Sequence, residues 1–455
     1  MGVQNAPMRS KYLPLAASNY IVQLTRSPHA FASKVSSRLL GHTFNWPPPP
    51  DHRQSDFRVP IIPSPTGGAA VAPLHILTNS LPHSTGGYAI RSHQILRAQR
   101  SAGMKVSALT RIGYPVNIGR FPTGTSELQD GITYSRVLPS VFPVSFKSQV
   151  REYAKWIVCE AKRRDSTVIH ATTPWPNAAA ASLAARELGI PWIYEVRGEP
   201  EATWAAKQPP GSAPLRTAFF NASRSKEEEA MRAAAAVVTL SEVSADSLRK
   251  RGVVGREMIV VPNAVDEQWP AQRIAVEMAQ RKLGLPPRRY IGAVSSLVEY
   301  EGFDDLICAL HYLPSDVSVL LVGDGNSLST LRKLAKAEQL EDRVVFVGRH
   351  SHDDIAKFYS ALDVFVVPRK ESLVTRTVTP IKTLQAQAFG IPIVASDLPA
   401  LREVTGGTER YVRPGFPQGI AVAVNNALQN PAPPPPKLFT WADAAQKYRK
   451  LYEAL

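Results

Sequence analysis

Cysteine is nearly absent: the 455 residues hold only Cys159 and Cys308, with no CxxC pair and no histidine cluster beside either. That excludes a disulfide framework and a thiolate zinc site, and fits a reducing cytoplasm. No apolar run reaches the roughly 18 residues a spanning helix needs, so any membrane contact is peripheral. No GxGxxG follows the first strand of either half, which argues against two fused dinucleotide-binding oxidoreductase domains. Asp-x-Asp is missing from the loop motifs, so no metal is implied. Neither an RNA-reading aromatic motif nor a recognition helix accompanies the net charge of +15, and nucleic acid is not expected as a partner. Acidic residues are missing from the first 50 positions, where Arg9, Lys11, Arg26, Lys34 and Arg38 supply +5 of that +15. The remaining basic excess favours phosphorylated metabolites or an anionic membrane surface.

What is present is ordinary globular composition, 44% hydrophobic and 20% charged, enough for two or three domains. Residues 1–70 read as an irregular, basic, Ser- and Pro-rich extension, with one short helix around Ala30 to Leu40. Its acid-free start also resembles an organelle transit peptide, and composition does not separate that from a disordered tail. "MGVQNA" lacks the Ser/Thr of a myristoylation signal. From Leu74 strands and helices alternate: "LHILTNS", then "GGYAIRSHQILRAQRSAG", then "KVSALTRIG", and so on through "REMIVVPNAVD". A second series runs from "RYIGAVSSL" to a last helix, "TWADAAQKYRKLYEAL". Such alternation predicts an α/β protein of two Rossmann-like, doubly wound parallel-sheet domains facing a cleft. The expected boundaries are 71–267 for an N-terminal domain, 268–435 for a C-terminal domain, and 436–455 for a helix packing back toward the N-terminal domain.

Five motifs in order, "TGGYAIRSH", "YEVRGEPE", "VVPNAVD", "VGDG" and "VTPIKTLQAQAFGIPIVASD", resemble the retaining glycosyltransferases of family 4, which have the GT-B fold. The resemblance covers about residues 74–455 and extends to a subgroup associated with capsule or exopolysaccharide clusters. It implies a metal-independent enzyme without cofactors. Such an enzyme moves a sugar from a nucleotide-diphosphate donor to a glycan or lipid-linked acceptor, in the cytoplasm and at the inner face of the membrane. The basic helix "REYAKWIVCEAKRR", with Trp156, either rests on anionic lipid or is a solvated face.

Gly86 and Gly87 are expected to bind the donor, since they open a helix where backbone N–H groups approach a pyrophosphate or sugar without Cβ obstruction, and Tyr88 beside them is expected on the acceptor side. By resemblance Glu195, Arg197 and Glu199 line the acceptor loop, Arg197 either neutralising phosphate or pairing with a neighbouring Glu. His170 ends a strand as either a substrate contact or a structural histidine. On the donor side the family commonly has an Arg and a Lys where this chain has Ser296 and Glu301, so another cation must serve the diphosphate. Lys382 is the first candidate and Arg376 the second, while Arg369 and Lys370 also read as a solvated loop edge. Gly323, Gly325 and Thr379 complete the donor loops. The family's paired glutamates fall on Thr377 and Gln385, and Gln385 keeps one acceptor oxygen for ribose. Arg197, Lys382, Arg376 and Glu195 are thus the expected catalytic set. The competing reading is a catalytically weak relative that binds a nucleotide sugar or a partner without turnover.

Overall fold

The computed structural model describes residues 12–19, 70–208, 211–266, 273–350, 352–430 and 438–455, apart from the side chains of residues 352 and 353. The short helix expected around Ala30 to Leu40, and most of the Pro-rich stretch, lie outside these residues. Within the extension expected to be irregular, residues 12–19 are helical. Tyr12 and Leu15, one helical turn apart, pack against Val116, Leu138 and Phe142.

The chain divides into two compact units. The first comprises residues up to Thr239 with Leu248–Val261 and Ala442–Leu455, and the second comprises Leu240–Ser247 and Pro262–Trp441. The first is built on β1 (Pro73–Leu77), β2 (Ser107–Thr110), β3 (Ser126–Gln129), β4 (Ile132–Arg136), β5 (Val168–Thr172), β6 (Trp192–Val196), β7 (Ala236–Thr239) and β8 (Glu257–Val260). Their order is β3-β4-β2-β1-β5-β6-β7-β8. The interior strands β1, β2, β5, β6 and β7 are buried along their whole length, as a sheet covered on both faces requires. One strand departs from the parallel expectation: β3 pairs antiparallel with β4 at the sheet edge. Asp130 and Gly131 turn this hairpin with φ of 48° and 75°, the left-handed pair such a tight turn needs.

The second unit holds β9 (Arg289–Val294), β10 (Val317–Val322), β11 (Val344–Gly348), β12 (Val364–Val367), β13 (Ile393–Ser396) and β14 (Arg410–Val412). All pair in parallel, in the order β11-β10-β9-β12-β13-β14. Numbered from β9 this is 3-2-1-4-5-6, the doubly wound Rossmann order, and the chain reverses direction across the sheet between β9 and β12. The equivalent switch in the first unit lies between β1 and β5. Two Rossmann-like α/β sheets make this a GT-B fold. The carboxyl ends of the strands beside each switch are where open α/β sheets hold ligands.

The last helix, Trp441–Glu453, belongs from Ala442 onward to the first unit, with Tyr448 and Leu451 buried. Among the described residues no helix is long and apolar enough to cross a membrane.

Candidate functional site

In the second unit the chain leaves β9 through Ser295 and Ser296 into a short turn at Glu299–Glu301. Gly302 follows with φ 72°, and a Cβ there would stand 1.9 Å from the Pro368 carbonyl oxygen. Only glycine lets this loop close onto the end of β12. The closure brings Glu301 against Arg369: Arg369 donates through Nη2 to Oε1 at 3.0 Å and through Nε to Oε2 at 3.3 Å. Lys382, in the first turn of the helix Ile381–Ala388, donates to the same Oε1 at 3.0 Å and to the Ser295 hydroxyl. Burial alone would raise the Glu301 carboxyl, but Arg369 and Lys382 outweigh it and bring it to about 2. The Lys382 ammonium moves down, chiefly through burial, with Glu301 opposing and Arg369 adding to the fall.

Two cations meet one carboxylate here, so the cluster carries a surplus positive charge at the β9/β12 switch. Side-chain exposure is 4% for Glu301, 6% for Arg369 and 15% for Lys382, which makes Lys382 the member most open to a ligand. Of the two readings of Arg369, the solvated edge does not hold: it is a buried partner of Glu301, and its Nη1 donates to the Val378 carbonyl at 2.8 Å. Lys370 is a partly exposed pair with Asp304. Arg376 is exposed and paired with Glu371. Ser296 is exposed, Thr377 donates to the Leu373 carbonyl at 3.2 Å, and the buried Thr379 hydroxyl has no hydrogen-bond partner among the described residues. At the "VGDG" turn, Cβ atoms on Gly323 and Gly325 would come within 1.9 and 2.1 Å of the Ser295 and Leu297 carbonyls. These glycines seat the turn against the β9 loop. Gln385 accepts the Tyr359 hydroxyl on its Oε1 at 3.0 Å, which engages one of that oxygen's two lone pairs. Tyr359 is fully buried and stacked with Phe365 and Phe389.

In the first unit the strand next to β5, β6, carries Glu195 near its carboxyl end, with no exposed surface. Arg91 Nε donates to its Oε1 at 2.9 Å, while Arg197 Nη2 and His170 Nε2 meet Oε2 at 2.7 and 2.9 Å. Burial would raise this carboxyl, but Arg197, Arg91 and His170 hold it well below the usual carboxylate range. His170 is likewise fully buried, its Nδ1 2.6 Å from the Tyr452 hydroxyl. Arg91 reaches the Val261 carbonyl at 2.7 Å and Tyr448 at 3.4 Å. Glu195 and His170 therefore have no face with which to touch a substrate in this arrangement, and they act through what they hold. Arg197 donates to Ser92 and, at 3.3 Å, to the Tyr88 carbonyl, tying the β6 loop to the helix Gly87–Ser101. Gly86 and Gly87 are exposed with open space around both, and Tyr88 is 41% exposed, its hydroxyl beside Gly198. Glu199 pairs with Arg251 at 3.0 Å.

Sequence reasoning missed Arg91, Ser295, Tyr359, Tyr448 and Tyr452 as polar partners in these networks. Arg91 stands in the "TGGYAIRSH" motif, but nothing local marks its partner, and each of the five is fixed by contacts between segments far apart in sequence. It also missed Glu227, buried on the helix Ala218–Ala233, where it accepts the Tyr194 hydroxyl at 2.6 Å and the Trp175 amide at 2.9 Å. Burial, with Glu201 adding, pushes its carboxyl up to about 8 from an ordinary 4.5. Because the folded value is the higher one, the stability that Glu227 contributes is complete below about 4.5 and is lost as pH rises through about 8. Glu227→Gln, which imitates the neutral acid, is expected to melt higher than wild type at alkaline pH and with a flatter dependence on pH. Melting curves across that range check it, and parallel slopes would contradict the assignment.

Two family models match the chain: "Glycosyl transferase 4-like domain" over residues 86–264 and "Glycosyl transferases group 1" over residues 288–430. Together they cover well over half of its length, and the chain belongs to the GT-B glycosyltransferase family. Its sequence is 29% identical over 268 residues to the 2-deoxystreptamine glucosyltransferase of Streptomyces kanamyceticus, covering 56% of this chain and 65% of that protein. The chain thus spans just under two thirds of that relative. Its fold is similar to sucrose-phosphate synthase from Thermosynechococcus elongatus, with a TM-score of 0.67 and 20% identity over 85% of this chain and 100% of the other. It is also similar to Anabaena HepE in complex with UDP-glucose, with a TM-score of 0.58 and 19% identity over 84% and 95%.

Proposed function

We propose that the protein is a retaining, metal-independent glycosyltransferase that moves a sugar from a nucleotide-sugar donor to a lipid-linked or polysaccharide acceptor of the capsule or exopolysaccharide type. The observation that carries this reading is the Glu301–Arg369–Lys382 cluster, whose surplus positive charge lies at the β9/β12 switch. A donor diphosphate complements that charge, and Lys382, the most exposed member, is its first ligand, with Arg376 second. Ser296, Thr377, Thr379 and the Gly323–Gly325 turn border the donor, and Gln385 meets its ribose. In the first unit the acceptor is met by Tyr88, Glu199 and Arg197, with Glu195 and His170 holding Arg197 in place. The exposed helix start at Gly86 and Gly87 offers backbone donors. Retention needs no protein nucleophile: the leaving diphosphate takes the acceptor's proton, while positioning and cations lower the barrier. UDP-glucose bound to HepE and the glucosyl transfer named for the Streptomyces relative support the donor class.

The exposed residues Lys147, Arg151, Lys155 and Lys162 fall on one face of the helix Phe146–Arg163 and favour a peripheral contact with an anionic inner membrane surface. Co-sedimentation with anionic but not neutral vesicles checks this contact.

Gln385 favours a second reading, a binding protein without turnover, because Tyr359 already engages the amide oxygen that would replace the family's carboxylate. Thermal-shift screening against UDP-, GDP-, ADP- and dTDP-sugars, followed by donor hydrolysis with the released anomer read by NMR, separates the two. A saturable shift with slow hydrolysis is expected for wild type. Gln385→Glu is expected to tighten the donor about tenfold by restoring a charge-assisted bond worth on the order of 1 kcal/mol. Binding that appears only in Gln385→Glu would leave the second reading standing.

A further inference from the structure

His83 lies on the loop that leaves the carboxyl end of β1 and leads to the helix Gly87–Ser101, and its ring reaches toward the edge strand β3. Its Nε2 stands 2.8 Å from Glu127 Oε2 and 3.1 Å from Oε1. Glu127, on the edge strand β3, is held in turn by Arg136, whose Nε is 2.9 Å and Nη2 2.7 Å from Oε2. The Thr123 amide and hydroxyl reach Oε1 at 3.1 and 3.3 Å. Burial would raise the Glu127 carboxyl, but His83, Thr123 and Arg136 bring it to about 2, so it is ionised. A carboxylate only accepts, so the nitrogen that faces it, Nε2, carries a proton, and in the neutral ring this leaves Nδ1 with a lone pair.

Nδ1 has no hydrogen-bond partner among the described residues, and the side chain keeps 12% of its surface exposed. The loop that carries the ring is already braced without it. Tyr114 donates to the Ser80 carbonyl at 2.7 Å and accepts from the Ser84 hydroxyl at 2.9 Å, and Arg136 Nη2 donates to the Leu81 carbonyl at 2.9 Å. Arg111 Nε reaches the Thr78 carbonyl at 2.9 Å. Holding the loop therefore does not require the Glu127 bond, whereas fixing one tautomer and one ring orientation does. An imidazole oriented by a carboxylate, with its second nitrogen open, is built to accept a hydroxyl proton donor.

The geometry points to His83 as an acceptor-binding residue: its Nδ1 lone pair, oriented by Glu127, accepts a hydrogen bond from a hydroxyl group of the glycan acceptor and so sets which hydroxyl faces the donor sugar. The proton stays on the hydroxyl at this contact, in keeping with a leaving diphosphate that takes the reacting proton. The class of ligand rests on the sugar-transfer reading above; the tautomer and the open nitrogen do not.

The test uses the full chain carrying 15N-labelled histidine, with His83→Gln identifying the His83 ring signals. The Nε2–H tautomer is expected in the free protein. Its Nδ1 signal is expected to move saturably with at least one of the methyl glycosides of glucose, galactose, mannose and N-acetylglucosamine. For transfer to the glycoside that responds, His83→Ala is expected to raise KM about tenfold, the cost of one hydrogen bond to an oriented acceptor. An Nδ1–H tautomer, a signal none of the glycosides moves, or an unchanged KM in His83→Ala overturns the proposal. Donor hydrolysis by wild type reads the other question: no hydrolysis together with a responding His83 signal removes the transferase reading and leaves a glycan subsite in place.

Discussion

Lys382→Met is expected to lower donor turnover by about 10²–10³-fold, the usual cost of removing one preorganised charge from a leaving group, while leaving the protein folded. The two halves of that expectation come from the same geometry. Methionine keeps the bulk of the side chain but removes the ammonium that a diphosphate would need. Glu301 is not orphaned by the change, because Arg369 still meets both of its oxygens at 3.0 and 3.3 Å. A one-to-one ion pair remains where two cations had shared one acid. Glu301→Gln does the opposite: it leaves Arg369 and Lys382 side by side without an anion and is expected to destabilise the second unit. Donor hydrolysis and melting temperature measured together for the two variants separate chemistry from folding. If Lys382→Met keeps near wild-type turnover, the diphosphate is served elsewhere, with Arg376 the next residue to remove.

The contrast between these variants also explains what the sequence could and could not reveal. The alternation of strands and helices was legible, because the interior strands are short, buried, largely apolar runs and glycines or prolines mark several helix ends, as at Gly86, Pro174 and Gly189. The hairpin β3-β4 passed unnoticed although "QDGI" carries its turn, because the edge strand β3 lacks a buried run and β4, "ITYSR", is buried but half-polar in sequence. At the donor loops the missing family cations pointed to a substitute, and Lys382 stood out by its place at a helix start. That Glu301 would be the anchor of two cations rather than a defect was not legible, since it depends on Gly302 letting two loops meet 67 residues apart in sequence, from Glu301 to Pro368. For the same reason the sequence left Arg369 open between a ligand-facing cation and a solvated edge. Tyr359 and the orientation of the Gln385 amide follow from helix packing, which no local pattern encodes.

Glu195→Gln is expected to cost about 3–5 kcal/mol of stability in the first unit, the penalty for removing one partner of a buried ion cluster. Glu195 has no exposed surface and offers its two oxygens to two guanidiniums and an imidazole. Glutamine keeps the shape but supplies one neutral acceptor, so Arg91 and Arg197 would stand buried with their charges uncompensated. The damage should extend to the last helix. Arg91 bonds to Tyr448, His170 to Tyr452, and Tyr452 accepts from Gln99 at 3.1 Å, so the carboxylate organises the polar seam under which that helix lies. Hydrogen exchange should therefore rise in Trp441–Glu453 along with β5 and β6, and denaturant unfolding should begin earlier. Tyr452→Phe isolates the seam from the charge: it removes one hydroxyl and leaves both guanidiniums paired. Its cost should stay near that of one buried hydrogen bond, about 1–3 kcal/mol. Equal losses in the two variants would mean that helix packing, and not the carboxylate, sets the stability of this unit.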